Sequence, residues 1–167
     1  MNYDSPSTGS EEEQPMVFGN YGTTIGNVKG GTNLTAYIGG KWNTQQCLSK
    51  ATNQDPYIYA GVTNNSDTGY SPAACCCVVY STPGTKPGDW YLPSIGELSK
   101  IHKSNTVINE KRTAIKGSGF NGNYCWSSRG IHGNLYLEHY VGIIDGVTSS
   151  GNKDDNYYVL GFLALEV

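Results

Sequence analysis

The run Gly88-Asp89-Trp90-Tyr91-Leu92-Pro93-Ser94-Ile95-Gly96-Glu97-Leu98 leaves its backbone little choice. Trp90 and Leu92 alternate as the inward positions of a strand do, and Pro93 ends that strand because it cannot donate to a ladder. Ser94 and Glu97 then have capping-box spacing, so a helix starts at once, with Ile95, Leu98 and Ile101 on one face. A strand that feeds straight into a helix and shares an apolar side with it demands a domain in which helices pack on a sheet. Trp90 is expected to be a core indole, and nothing in the run carries reactive chemistry.

At 167 residues the chain is long enough for one domain whose core needs neither a metal nor a disulfide. Charged residues make up only 15%, while Gly (22) and Tyr (13) are abundant, which points to turn-rich sheet and recognition loops rather than helical bundles. The formal charge is -3 and the cations are scattered, so no basic face for nucleic acid is expected. No apolar stretch approaches the roughly 20 residues that span a bilayer, and the amino terminus has no signal-peptide pattern. The five cysteines, Cys47, Cys75, Cys76, Cys77 and Cys125, are odd in number and three are adjacent. That arrangement suits buried, reduced thiols better than a disulfide framework, and it lacks the paired spacing of a zinc site. No metal and no cofactor are expected.

Residues 1–15 are polar, acidic and Pro-containing and read as a tail or linker, leaving 16–167 as the domain. Met16 to Ile38 reads as short strands with Gly-rich turns. Four short helices are expected: one capped by Asn43 or Thr44, one opened by Ser71-Pro72 and almost wholly buried, one opened by Ser94, and one from Thr106 to Lys116. In the last, Val107, Ile108, Ala114 and Ile115 share a side and Gly117 stops the helix. From Tyr124 onward YCWSS, LYLEHYVGII and YYVLGFLALEV read as strands, and DGVTSSGNKDDN as exposed loop or irregular edge. Helices first and sheet afterwards make an α+β domain, short helices on a small, mainly antiparallel twisted sheet.

The Gly88–Leu98 run resembles the G-x-W-x-L-P-[ST]-x-x-E-L signature of bacterial and phage lectin-like domains. Further matches follow in the order of those domains: Gly40-Lys41-Trp42-Asn43-Thr44, Tyr124-Cys125-Trp126-Ser127-Ser128, Asp145-Gly146, Tyr157-Tyr158-Val159 and Leu163-Ala164-Leu165. The resemblance implies a C-type lectin-like fold of the subtype shared with formylglycine-generating enzymes. Some such domains are variable proteins of diversity-generating retroelements. Their varied positions lie between the W-S-S strand and the last strand, which here is Arg129 to Tyr157. The residues there are ones reachable by randomising the adenines of an asparagine codon, with Glu138 and Lys153 the exceptions. An exposed Gly-, Ser- and Asn-rich loop has the same composition without any diversification. Where many relatives carry Arg-Pro, this chain has Leu160-Gly161, which puts in doubt any contact that depends on that arginine.

The resemblance implies a non-enzymatic, calcium-independent receptor-binding domain, adhesin-like, at a virion or cell surface, whose partner is a cell-surface protein or glycan. A homo-oligomer, or attachment to a larger parent assembly, is compatible with it. A structural virion or cell-surface module and a degenerate formylglycine-generating-type enzyme are the alternatives. The cysteines do not match the copper site of that enzyme, and the Glu-Pro-Asn and Trp-Asn-Asp calcium triplets of animal lectins do not occur. His132, His139, Asp145, Asp154 and Asp155 show no ligand spacing. The binding face is expected in two stretches. The first holds Ser128, Arg129, Ile131, His132, Asn134, Tyr136, Glu138, His139 and Tyr140. The second holds Val147, Ser149, Ser150, Asn152, Asp154, Asp155, Asn156 and Tyr157. In this expectation tyrosines supply amphipathic contact area and the polar groups adaptable hydrogen bonds.

Overall fold

The computed structural model describes residues 15–25, 34, 38–52, 69–114, 124–131 and 133–163. Its elements run β1 (Pro15–Val17), α1 (Gly40–Lys50), α2 (Pro72–Val79), β2 (Trp90–Tyr91), α3 (Ile95–Lys103), α4 (Asn105–Ala114), β3 (Tyr124–Gly130), β4 (Leu137–Gly142), β5 (Thr148–Asn152), β6 (Asn156–Tyr158) and β7 (Phe162–Leu163). The chain is α+β, with a five-stranded sheet in the order β1-β6-β3-β4-β5 and a separate β2-β7 pair. All strand pairs are antiparallel except β3 with β6.

Each face of the larger sheet carries its own core, because neighbouring residues of β3 point opposite ways. Trp126, opposite Tyr140, joins Phe18, Ile25, Leu92, Cys47 of α1 and Ala73, Ala74 and Cys77 of α2. Cys125, opposite Val141, joins Ile143 and the α3 residues Ile95 and Leu98. The capping box forms as expected: Ser94 N donates to Glu97 Oε2 at 2.7 Å, and the Ser94 hydroxyl does so at 2.9 Å. The bend between β2 and α3 is tied to the sheet by Ser128 N, which donates to Pro93 O at 2.7 Å.

Several expectations are corrected. Helix α1 begins at Gly40, so Asn43 and Thr44 lie inside it, buried, rather than capping it. Thr44 Oγ1 accepts from Leu92 N at 2.9 Å and lies 2.8 Å from Gly40 O. An early start is open to this helix because Gly40 has no side chain, and a Cβ there would stand 2.9 Å from Pro93 Cα. The Ser71 hydroxyl accepts from Asn20 Nδ2 at 3.0 Å instead of capping α2. Trp90 is half-buried, edge-on to Tyr80 at 5.0 Å, whereas Trp126 is the buried indole, with its N–H on Met16 O at 2.8 Å. Val107 faces outward on α4, which buries no residue, and Ile115 to Gly117 lie outside the described residues. The expected tail also lies outside them, except Pro15, which opens β1. Of the two readings of the 145–156 stretch, exposed loop or irregular edge, the second holds over β5, an edge strand paired to β4 from Leu137↔Asn152 to Val141↔Thr148.

Candidate binding face

The β4–β5 ribbon brings the second expected stretch beside part of the first. Lys153 N donates to Tyr136 O and Gly142 N to Val147 O, both at 2.8 Å, so the two bonds bracket the ladder. Antiparallel pairs alternate, so Glu138/Gly151 and Tyr140/Ser149 exchange the bonds between them. The main-chain groups of Thr148 and Ser150 therefore turn away from β4. Asn152 N also turns outward, where Asp155 Oδ2 accepts from it at 2.8 Å.

Side chains divide between the two faces of this ribbon. His139 and Leu137 lie opposite Ser150 and Asn152 on one face, and Tyr140 lies opposite Ser149 on the other. Ser149, Ser150 and Asn152 are exposed. Exposed apolar groups bracket them: Leu135 and Tyr136 at one end, Ile144 and Val147 at the other. Tyr136 is 48% exposed and lies tilted against Tyr21, with ring centroids 5.1 Å apart.

Tyrosines of this region pack together rather than standing free. Tyr157 lies 4.6 Å from both Trp126 and Tyr140, and Tyr124 lies 4.9 Å from Tyr140. Gly151 makes room for that arrangement, since a Cβ there would meet the Tyr157 ring at 2.6 Å. Burial raises the Tyr157 phenol above its ordinary value, helped by the charge of Asp155 and by Tyr140. His139 is held below its usual 6.5, first by burial and then by the Arg129 cation, against a pull upward from the Ser149 carbonyl.

Three expected binding residues are interior. Ser128 is 0%, Arg129 6% and Glu138 0% exposed. A bulge explains the first two: β3 takes four steps from Trp126 to Gly130 while β4 takes two from Tyr140 to Glu138. A bulge interrupts alternation and here turns Ser127, Ser128 and Arg129 all inward. Glu138 keeps its place on the buried face, where burial pushes its carboxyl up against the lowering influence of the His139 amide and Lys153.

The other expected residues divide between shaping turns and lining the surface. Asn134 Oδ1 accepts from Tyr136 N and Leu137 N, both at 2.8 Å, so it builds the turn into β4. Ile131, Asp154 and Asp155 are half-buried, Asn156 is exposed, and His132 lies outside the described residues. Tyr21, Tyr124, Leu135 and Ile144 were not foreseen as part of this surface. Alternation with Trp126 could have found Tyr124, but no local signal links Tyr21 to Tyr136. No family model matches this chain, and no curated protein and no solved structure matches it.

Proposed function

We propose that this is a non-enzymatic binding domain of the C-type lectin-like fold, and that the β4–β5 rim is its recognition face. One observation carries the reading: between Arg129 and Tyr157 the Arg, Glu and Lys side chains, Arg129, Glu138 and Lys153, are withdrawn inside. Left outward on the rim are Ser149, Ser150, Asn152, Tyr136 and Val147. Hydroxyls, an amide and a large amphipathic ring give adaptable contacts at low ordering cost, the chemistry of a paratope. Its partner is a cell-surface protein or glycan, met at a virion or cell surface.

The two residues in this stretch that randomised asparagine codons do not reach, Glu138 and Lys153, are 0% and 1% exposed. A diversified face needs such fixed interior positions beneath it, which supports the retroelement reading. Fluorescently labelled protein applied to intact bacterial cells tests the function. Saturable binding is expected, removed by protease for a protein partner or by periodate for a glycan. Absence of saturable binding across a broad strain panel contradicts the proposal.

A further inference from the structure

One face of the sheet beside the rim carries a strip of tyrosines with a carboxylate at each end. Residues directly opposite share a face and alternate residues repeat it, so Tyr124, Trp126, Tyr140, Gly142, Ser149 and Gly151 lie on one side. Trp126 is the buried floor, Tyr140 and Tyr157 pack on it half-buried, and Tyr124 is 38% exposed. The rings are tilted against one another, Tyr124 with Tyr140 by 57°, Tyr140 with Tyr157 by 44° and Tyr124 with Tyr157 by 80°, so they make a faceted strip and not a flat platform. At one end Asp145 Oδ1 fills the place of a Gly142 Cβ, and Tyr124 Cε1 lies 3.1 Å from that point. At the other, Tyr157 Oη and Asp155 Oδ2 lie 2.8 and 3.0 Å from the place of a Gly151 Cβ. Gly151 stands opposite Glu138, four residues from Gly142, which separates the two ends by roughly 13 Å along the strand. Asp145 accepts from Val147 N at 2.9 Å and Asp155 from Asn152 N at 2.8 Å, and neither is ion-paired among the described residues.

We propose that this strip is the cation subsite of the binding face, taking Arg or Lys side chains from a basic segment of a protein partner. The inference rests on the binding reading above and narrows its partner to a protein. Charge complementarity selects the occupant. Phenol rings carry negative faces that attract a cation within about 6 Å of the centroid, and a guanidinium can lie on such a ring while its N–H groups fork onto a carboxylate. Here rings and unneutralised carboxylates stand side by side at both ends, so one basic side chain at either end meets both kinds of group. A neutral glycan would gain the ring contacts but would cover Asp145 and Asp155 without supplying a cation, which costs free energy.

The test is titration of the isotope-labelled full chain with a tetra-arginine peptide at low salt, read by amide NMR shifts, with tetra-glutamine as the uncharged match. Tetra-arginine should shift the amides around Tyr124, Tyr140, Asp145, Gly151 and Tyr157 saturably, and tetra-glutamine should not. The double variant Asp145→Asn, Asp155→Asn keeps an oxygen to accept from Val147 N and Asn152 N, so it should fold, and it should bind tetra-arginine roughly fivefold more weakly. Tyr124→Ala should weaken binding about threefold, whereas Tyr124→Phe, which keeps the ring face, should bind like the parent. Undiminished binding by the double variant, an equal response to tetra-glutamine, or shifts confined to other parts of the chain overturns the proposal. Cell binding separates it from the broader reading. Cells that bind parent and double variant alike overturn the cation subsite and leave the binding domain standing. Cells that bind neither overturn the binding reading, while the peptide titration still decides the subsite.

Discussion

Trp126→Ala should cost far more than Trp90→Ala, although the chain presents both indoles in apolar, strand-like surroundings. Trp126 is 0% exposed, edge-on to Phe18 at 5.5 Å and to Tyr157 at 4.6 Å. Removing a fully buried Trp costs roughly 3 to 5 kcal/mol, and each well-placed aromatic pair adds about 0.5 to 1.5 kcal/mol beyond burial. The Met16 carbonyl also loses its donor, so a total of about 5 kcal/mol is expected. At Trp90 the indole is half-buried and edge-on to Tyr80, its one close ring partner among the described residues, with its N–H on the Thr85 hydroxyl at 3.1 Å. About 2 kcal/mol is expected there. Urea unfolding of both variants measures the two losses, and Trp126→Ala should lower the melting temperature by roughly 10 to 20 °C. An equal or larger loss at Trp90 refutes the placement of the core.

Gly40→Ala should destabilise by about 1 to 3 kcal/mol, because the Pro93 backbone cannot yield to the new methyl; a neutral urea midpoint would contradict this. His139 has a folded pKa below the unfolded 6.5, so its contribution is intact above that value and is lost as pH falls through the lowered one. Melting temperatures between about pH 7.5 and 5.5 should therefore fall less steeply in His139→Asn than in the parent. Burial pushes the Cys76 thiol up to about 11 and the Cys47 and Cys77 thiols well up. Iodoacetamide near pH 8 should label the native chain slowly and the denatured chain at all five cysteines.

What could be read from the chain alone was local. Pro93, Ser94 and Glu97 act within a few residues of one another, and the bend and capped helix follow from them wherever the rest of the chain goes. Trp126 is different, since its indole is satisfied by a carbonyl 110 residues away. Edge strand β5 could be read only as exposed loop or irregular edge, because Thr-Ser-Ser-Gly-Asn shows no apolar alternation; the strand exists through its backbone ladder to β4. The bulge in β3 inverted Ser128 and Arg129, and its cause is a register shift against β4 that no local pattern records. Glu138 and Lys153 ran against expectation because isolated charges belong outside, and only their mutual neighbourhood and the backbone of residues 18 to 23, which donates to the Lys153 carbonyl and accepts from its amine, make an interior position tolerable. Ser149, Ser150 and Asn152 are exposed, as the polar composition of that stretch implies.

The central claim is that the rim binds while the layer beneath it holds the fold, and one variant separates the two. Tyr136, Val147, Ser149, Ser150 and Asn152 are exposed, so simultaneous replacement by Ala should leave a cooperatively folded domain. Each change should cost no more than about 0.5 kcal/mol, except that loss of the Tyr136–Tyr21 ring contact adds about 1 kcal/mol. Binding to the cells that the parent protein recognises should fall at least roughly thirtyfold, the equivalent of about 2 kcal/mol for loss of the central contacts. Thermal unfolding and cell binding are measured on the same preparation. A folded variant with binding lost is the predicted result; a variant that unfolds, or one that binds undiminished, contradicts the account.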